Sequence, residues 1–464
     1  MNKTSKVKGA LEVMVVIGLI LVIPLFFAIK TAADRQAVQK TPMPPAPTAS
    51  EVPETNSVIT AQQPPQCTFP LAQTTTAEPV PEEYTFSEPQ VVITVSSKTP
   101  DSQFWLSEPQ PDIIKWLPDN QNVLIMPSKL IDLNMNGYQQ TIELFNPETK
   151  EIQIYATRRN VDKAPPAWNP ALNAIVYADM NVLKGSTGSN FKFTRQLRIS
   201  YGNPDDTQVL ADDLPQYGMA VKPDGSQIAY FTAKQLVKLN TSLNAVASVS
   251  FDRKALDFKR KNPNAVHAVN YKIAWRPNSS QIFVYNWAGD NLGYTYIMDT
   301  NSGQICNLDF GGWAEMARWS PNGRYLSIVR AQGSGPAMSV DVVVLDTTTG
   351  EFYMLDAVAS DIEGRHLAQD IEWAPDNHHL LFTIGTTQSQ VTYTYDGLLY
   401  LGDFISGQVE RILPTYQFNV GAGTINLAWS PDGSKLLINC PTTEGLKQVC
   451  LISVQTSGEQ GANP

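Results

Sequence analysis

Short apolar runs recur along the chain from about residue 90 to residue 455, and clusters of Gly, Pro, Asn and Asp separate them. Examples are Gln227–Phe231, Tyr325–Val329 and Lys435–Asn439. Brief alternating runs of this kind, bounded by turn residues, predict β-strands. None of them shows the 3.6-residue apolar period of an amphipathic helix, so the pattern excludes a helical solenoid.

One turn motif, Trp-x-Pro followed by Asp or Asn, precedes seven of these runs. Val221 replaces the Trp in the third copy, and Ala171 replaces the Asp or Asn in the second. Successive prolines are 52, 53, 54, 44, 54 and 56 residues apart. Pro presets the first angle of a tight turn, and Gly or Asn takes the positive-φ position that closes it. The repeat residues are Trp116, Trp168, Trp275, Trp319, Trp373 and Trp429, with Pro118, Pro170, Pro223, Pro277, Pro321, Pro375 and Pro431.

Each repeat of roughly 50 residues holds four short strands, which is the content of one antiparallel blade. Seven repeats therefore predict an all-β, seven-bladed β-propeller, with the flat Trp rings filling the wedges between blades. The propeller should span residues 89–455. The last repeat lacks its outermost strand, and we expect residues 89–97 to supply it and close the ring. Residues 456–464 read as a disordered tail.

The motif Trp429-Ser-Pro-Asp-Gly433 and its partners resemble the WD40-like (PD40) repeat of the bacterial TolB-type propeller family. The resemblance covers residues 105–455 and implies the propeller architecture. It implies little about activity, because this repeat occurs in envelope proteins, protease propellers and sensor ectodomains. A separate α/β domain, which TolB carries, is not visible here, and the chain holds no Gly-x-Ser-x-Gly motif of the propeller-bearing hydrolases.

The N-terminal region carries an uncharged apolar run at residues 13–29, flanked by Lys8 and Lys30. We expect residues 11–30 to form a transmembrane signal anchor behind a cytoplasmic tail at residues 1–10. A cleaved signal peptide is the alternative, although no clean Ala-x-Ala site follows the run. Eleven prolines lie in residues 41–90, so residues 31–88 predict a flexible Pro/Thr-rich linker. A large C-terminal domain then places the propeller outside the cytoplasm, periplasmic or at the cell surface.

The charge of the chain is unevenly distributed. The net charge is −10 overall, while residues 1–40 contain six Lys/Arg and two acidic residues. An acidic body argues against nucleic acid as a partner. Among the four cysteines, Cys440 and Cys450 lie across a predicted hairpin. They either form a disulfide or remain half-buried free thiols, depending on the register.

The repeat turns should share one face of the ring and serve the scaffold, so we expect binding on the opposite face, where the loops differ. The longest of these loops is predicted between Tyr177 and Leu197. Exposed aromatic and acidic residues of these loops suit a protein or cell-envelope polymer, although each ring could instead cap the core. The candidates are Tyr138, Phe191, Phe193, Tyr217, Tyr271, Trp287, Asp290, Trp313, Tyr393, Tyr395 and Asp396.

Catalytic signals are weak. The pair His378 and His379 follows a repeat turn, where we expect it to be exposed to solvent. Asp290, Asp370 and Asp396 are candidates to hold a channel cation such as Ca²⁺, but no cofactor motif is present. The sequence therefore favours a non-enzymatic, membrane-anchored binding scaffold. The alternative is a propeller hydrolase or lactonase with a metal in the central channel, and a weaker one is the sensory ectodomain of a larger complex.

Overall fold

The computed structural model describes most of the region in which the repeats lie. The described residues are 66–71, 83–96, 112–129, 138–160, 165–182, 193–212, 218–231, 235–243, 245–250, 270–287, 293–332, 339–355, 365–387, 394–421, 427–440 and 446–456. The predicted anchor at residues 11–30 lies outside this set. Within it, no helix is long and apolar enough to cross a membrane.

Two strands precede the first repeat, and three complete blades follow them. The preceding strands are β1 (Tyr84–Phe86) and β2 (Gln90–Ser96). Blade 1 contains β3 (Asp112–Trp116), β4 (Val123–Met126), β5 (Ser128–Lys129), β6 (Tyr138–Phe145) and β7 (Ile152–Asn160). Blade 2 contains β8 (Ala167–Asn169), β9 (Ala174–Val182), β10 (Phe193–Ser200) and β11 (Thr207–Asp212). Blade 3 contains β12 (Met219–Val221), β13 (Gln227–Phe231), β14 (Gln235–Asn240) and β15 (Ala245–Ser250).

The next three blades repeat the pattern. Blade 4 contains β16 (Asn270–Trp275), β17 (Gln281–Trp287), β18 (Gly293–Asp299) and β19 (Ile305–Asn307). Blade 5 contains β20 (Trp313–Trp319), β21 (Tyr325–Gln332), β22 (Ser339–Asp346) and β23 (Phe352–Leu355). Blade 6 contains β24 (Arg365–Trp373), β25 (His379–Thr387), β26 (Thr394–Asp403), β27 (Gln408–Arg411) and β28 (Phe418–Gly421). Both β27 and β28 pair with β26, so the outermost strand of this blade is in two pieces.

The seventh blade joins the two ends of the ring. It contains β29 (Leu427–Trp429), β30 (Lys435–Asn439) and β31 (Leu446–Thr456). β2 pairs antiparallel with the first half of β31, from Ser96 opposite Leu446 to Gln90 opposite Leu451. An outermost strand from the N-terminal side thus lies where the incomplete last repeat required one. With it, the structure is an all-β, seven-bladed propeller of four-stranded antiparallel blades, as predicted.

The first strand of each blade lies innermost. Neighbouring first strands contact one another at most junctions around the ring, including β29 with β3 and β20 with β24. They enclose the central channel that this architecture forms. The positions that close the repeat turns have positive φ, as predicted; examples are Asn120 at 57° and Gly433 at 80°.

The prediction of a flexible linker up to residue 88 is wrong for two stretches. β1 pairs with the end of β31, from Tyr84 opposite Thr456 to Phe86 opposite Val454, so the order extends past residue 455 as well. Residues 66–71 lie against blades 4 and 5, because Cys67 forms a disulfide with Cys306 and the Leu71 N–H donates to the Thr347 carbonyl. The apolar side chain of Leu71 is buried there, which the Pro-rich composition around it did not reveal.

Cys440 and Cys450 form a second disulfide. Cys440 directly follows β30, and Cys450 lies in β31, so the bond joins neighbouring strands of blade 7. Of the two alternatives left open by the sequence, the structure has the disulfide.

Candidate functional site

Charged side chains on the innermost strands line one sector of the central channel. Arg318 of β20 donates its Nε–H to the Ile371 carbonyl at 2.7 Å. The same side chain forms ion pairs with Asp370 and Glu372 of β24, at 3.6 and 3.2 Å. Desolvation opposes the charge on Arg318, but these two carboxylates outweigh it and raise its pKa.

The two carboxylates differ in their environment. Asp370 is fully buried, and it accepts hydrogen bonds from the N–H groups of Ile371 and Leu427. It therefore ties blade 6 to blade 7. Burial raises the pKa of Glu372, although Arg318 partly opposes this. Since the guanidinium occupies the place beside both carboxylates, a Ca²⁺ ion would have to displace it, and the structure gives Asp370 a structural role.

Two lysines extend the charged sector. Lys272 of β16 donates to the Glu315 carbonyl at 2.7 Å and lies 5.7 Å from the centre of the Tyr285 ring. Lys115 of β3 reaches solvent, yet the surrounding protein lowers its pKa by desolvation, which Glu372 partly opposes. The described innermost strands thus carry both acidic and basic side chains, and Arg318 pairs with two of the acids.

Apart from Trp313, the candidates for the variable face fall into two groups. Phe191, Tyr217, Asp290 and Tyr393 lie outside the described residues. The backbones of Tyr138, Phe193, Tyr271, Trp287, Tyr395 and Asp396 lie at or near strand ends opposite the repeat turns, spread over blades 1, 2, 4 and 6. The loop predicted between Tyr177 and Leu197 is shorter than expected, because β9 continues to Val182 and β10 begins at Phe193.

Trp313 is not an exposed binding residue. Its side chain is only 4% exposed, and its indole N–H donates to Glu315 Oε1 at 2.6 Å. Trp313 lies at the start of β20 and is covered by the protein, which is the alternative that the sequence left open for each ring.

The prediction that the His pair is exposed is also wrong. His378 is 6% exposed, and the side chain of His379 is 13% exposed. The His378 ring lies 5.9 Å from Phe404, and the His379 ring lies 5.6 Å from Tyr84. Both rings are covered by residues distant in sequence, which a motif alone does not reveal.

A cleft of about 680 Å³ opens between blades 1 and 2 on the repeat-turn face. Both repeat prolines of these blades line it, Pro118 and Pro170. The face that the sequence analysis assigned to the scaffold therefore contains a concave site. Polar side chains from both blades surround it, namely Asp119, Asn122, Glu151, Gln153 and Asn173.

Trp168 is the aromatic wall of the cleft, and it differs from the other repeat tryptophans. They are at most 8% exposed, whereas Trp168 is only partly buried. The other five donate their indole N–H to a backbone carbonyl, and among the described residues Trp168 is the exception. Its ring packs edge-on against Tyr155 at 5.9 Å, which fixes its orientation.

The local sequence explains the opening. Blade 2 has Ala171 and Leu172 where the other copies have Asp or Asn followed by Gly, Asn or Ser, and its positive-φ residue is Asn173, one position later than Asn120 in blade 1. At two other junctions a side-chain amide joins the neighbouring turns: Asn120 Oδ1 accepts from Asp432 N between blades 7 and 1, and Asn377 Oδ1 accepts from Asn322 N between blades 5 and 6. No such bond joins the described turns of blades 1 and 2.

The arrangement of the cleft suits binding of a ligand with both apolar and hydroxyl-bearing faces. An oriented aromatic ring offers an apolar surface, and amide and carboxylate groups offer both donors and acceptors. Asp119 is committed to its own turn, because it accepts from Gln121 N, Asn122 N and Asn122 Nδ2. The side chains of Glu151, Gln153 and Asn173 are exposed at the rim.

Comparison with known proteins finds no matching family model and no matching curated sequence. Similar solved structures include TolB from Acinetobacter baumannii, at 15% identity over 70% of this chain and 78% of that one, with a TM-score of 0.36. Another is the Cps50 (Swd1) β-propeller domain of Myceliophteria thermophila, at 12% identity over 79% and 100%, with a TM-score of 0.46. A third is an oligogalacturonate lyase in complex with manganese, at 10% identity over 72% and 96%, with a TM-score of 0.38. These similarities are too distant to carry an argument about function.

Proposed function

We propose that this chain is a non-catalytic, extracytoplasmic binding scaffold, held at the cytoplasmic membrane by residues 11–30. Its ligand is a cell-envelope polymer of saccharide type, which binds in the cleft between blades 1 and 2. The observation that carries the proposal is the one repeat Trp turned partly to solvent in that cleft.

The extracytoplasmic location is supported by the cysteines. Both disulfides join strands or segments of the folded propeller, and one of them links residues 239 positions apart. Disulfides of this kind persist in oxidising compartments and are rare in the cytosol. The apolar run at residues 13–29, with lysines at both flanks, is the corresponding membrane signal in the sequence.

A saccharide fits the cleft better than a protein partner does. A sugar ring has an apolar C–H face that packs on an indole, and hydroxyls that pair with carboxylates and amides such as Glu151 and Gln153. A stable protein interface needs about 800 Å² on each side around an apolar centre. Polar residues dominate the rim of this cleft, and the exposed apolar side chains near it are Ile152, at 54%, and Ile154, at 43%.

The test is binding of the purified full chain to solubilised envelope polysaccharide and to peptidoglycan fragments, measured by isothermal titration and affinity electrophoresis. Trp168→Ala should weaken binding by about fivefold to thirtyfold, because stacking on one aromatic ring contributes on the order of 1–2 kcal/mol. Gln153→Ala should weaken it by a smaller factor.

Phe352→Ala is the matched control, since Phe352 is an aromatic residue of blade 5, 37% exposed and remote from the cleft. It should bind like the unaltered chain. Saccharide binding that is equal in the Trp168 and Phe352 variants would refute the cleft as the site. Saturable binding of an envelope protein with no saccharide binding would replace the proposed ligand class with a protein.

A further inference from the structure

The repeat turn of blade 6 places two imidazoles and a carboxylate together, away from both the channel and the cleft. The ligand atoms offered by His378, His379 and Asp403 all lie within 4.8 Å of one another. His378 Nδ1 is buried and has no hydrogen-bond partner, although Asp403 Oδ1 is 3.3 Å away. A buried nitrogen without a partner is destabilising, so its retention calls for an explanation.

The equivalent positions in blades 4 and 5 form a side-chain hydrogen bond. In blade 4, the hydroxyl of Ser280 donates to Asp299, the residue that ends the third strand. In blade 5, Arg324 donates to Asp346 at 2.9 Å. Both are ordinary hydrogen bonds that join the second and third strands of a blade.

Blade 6 keeps the carboxylate and changes its partner. His378 replaces the donor and faces Asp403 without bonding to it, and the next residue is a second histidine. A tetrahedral metal with bonds of about 2.0–2.1 Å to nitrogen and oxygen holds its ligands about 3.3–3.4 Å apart. The 3.3 Å between His378 Nδ1 and Asp403 Oδ1 matches this ligand–ligand distance. A metal ion could therefore bind both atoms, which no hydrogen bond joins.

His379 has the support that metal-binding histidines commonly have. Its Nδ1 lies 2.6 Å from Asp376 Oδ2, and the side chain of Asp376 is fully buried. A carboxylate that holds one ring nitrogen orients the imidazole and leaves the other nitrogen, Nε2, for a metal. Asp376 is itself fixed, because it accepts from the N–H groups of His378 and His379.

We propose that His378, His379 and Asp403 form a binding site for a zinc-type divalent transition metal, with Asp376 as the positioning residue for His379. Two imidazoles select such ions over Ca²⁺ or Mg²⁺, which prefer all-oxygen sites. The fourth position is left to water. A bound ion would join the second and third strands of blade 6 beside Phe404, as the hydrogen bonds do in blades 4 and 5.

The experiment uses the full chain, stripped with a chelator and titrated with CoCl₂ or ZnSO₄. Cobalt should bind at one equivalent and give the ligand-field absorption of a tetrahedral N/O site, and zinc should raise the melting temperature. His378→Ser introduces the hydroxyl that Ser280 supplies in blade 4. We expect this variant to abolish the absorption while leaving the metal-free protein folded. Asp376→Asn should weaken binding by about tenfold to a hundredfold.

Asp403→Asn and Asp299→Asn form a matched pair. Each residue caps its own turn in the same way, through the N–H groups two and three positions on. Only Asp403→Asn should lose metal affinity. The proposal is overturned if the stripped chain binds no cobalt at one equivalent, or if Asp403→Asn and Asp299→Asn bind it equally. Unfolding of each metal-free variant by circular dichroism separates loss of the site from loss of the fold.

Discussion

The junction between blades 7 and 1 and the junction between blades 1 and 2 contain the same kinds of elements but pack differently. At the first, Trp116 is 1% exposed and donates its indole N–H to the Ala428 carbonyl at 3.0 Å. Lys435 lies over the same ring at 5.8 Å. The two repeat turns are also joined here, by the bond from Asp432 N to Asn120 Oδ1. The junction that closes the ring is therefore tightly packed.

At the second junction the contacts lie further out. β7 of blade 1 contacts β9 of blade 2, and Ser200 Oγ donates to the Tyr155 carbonyl at 2.5 Å. The Arg159 N–H donates to Asp179 at 2.8 Å. The turns remain apart, and the cleft with Trp168 lies between them. The repeat Trp is therefore a buried wedge at the first junction and a partly exposed ring at the second, where we propose that it meets a ligand.

The largest expected effect comes from removing the two tryptophans in turn. Trp116→Ala should lower the free energy of unfolding by about 3–5 kcal/mol, since it leaves a cavity and an unpaired carbonyl. Trp168→Ala should lower it by only about 1–3 kcal/mol, because its ring keeps contact with water and loses no hydrogen bond. Urea unfolding followed by circular dichroism measures both. Equal losses would mean that the two junctions are packed equally well and that the cleft is an ordinary gap in the scaffold.

The fold was predictable from the sequence because the repeat is local. Pro, Asp and Gly specify a turn within four residues, and seven copies leave few architectures possible. The closing strand at Gln90–Ser96 was predictable because the last repeat lacked a partner for β31. The bond from Cys67 to Cys306 was not, since nothing local relates residues 239 positions apart. Ala171 was a visible sign of the cleft, but its depth depends on how two turns approach each other in space.

The second prediction distinguishes the repeat turns of blades 1 and 2 by the pH dependence of their contributions to stability. Burial opposes ionisation of Asp119 in blade 1, but the hydrogen bonds from the N–H groups of Asn122 and Gln121 outweigh it and lower its pKa. The folded state therefore binds this proton more weakly than the unfolded state. The resulting stability is present above the unfolded value of about 3.9 and is lost as the pH falls through the lower folded value. In blade 2, where Ala171 takes the position of Asp119, a bond from Leu172 N to Asn169 Oδ1 at 3.1 Å holds the turn instead, and this amide does not titrate.

Asp119→Ala should consequently cost about 1 kcal/mol at pH 7, and this cost should fall progressively as the pH is lowered below about 3.9. Asn169→Ala should cost a similar amount, about 1 kcal/mol, over the whole pH range. Urea midpoints of the two variants and the unaltered chain, measured from pH 7 downward, give the comparison. A cost for Asp119→Ala that does not fall with pH would contradict the role of its ionised carboxylate, and the two turns would then be equivalent.

The smallest expected effect concerns the ion pair that crosses the closed junction. Glu148 of blade 1 lies 2.6 Å from Lys435 of blade 7, and its side chain is 62% exposed. The bond and charge of Lys435 lower the pKa of Glu148, but exposed pairs of this kind contribute little to stability. Glu148→Gln should leave the urea midpoint unchanged at low and high salt, whereas Trp116→Ala should lower it in both. A clear, salt-sensitive loss in Glu148→Gln would assign the tight closure between blades 7 and 1 to charge. No loss would assign the closure to the packing of Trp116. At the next junction the corresponding ring, that of Trp168, is only partly buried.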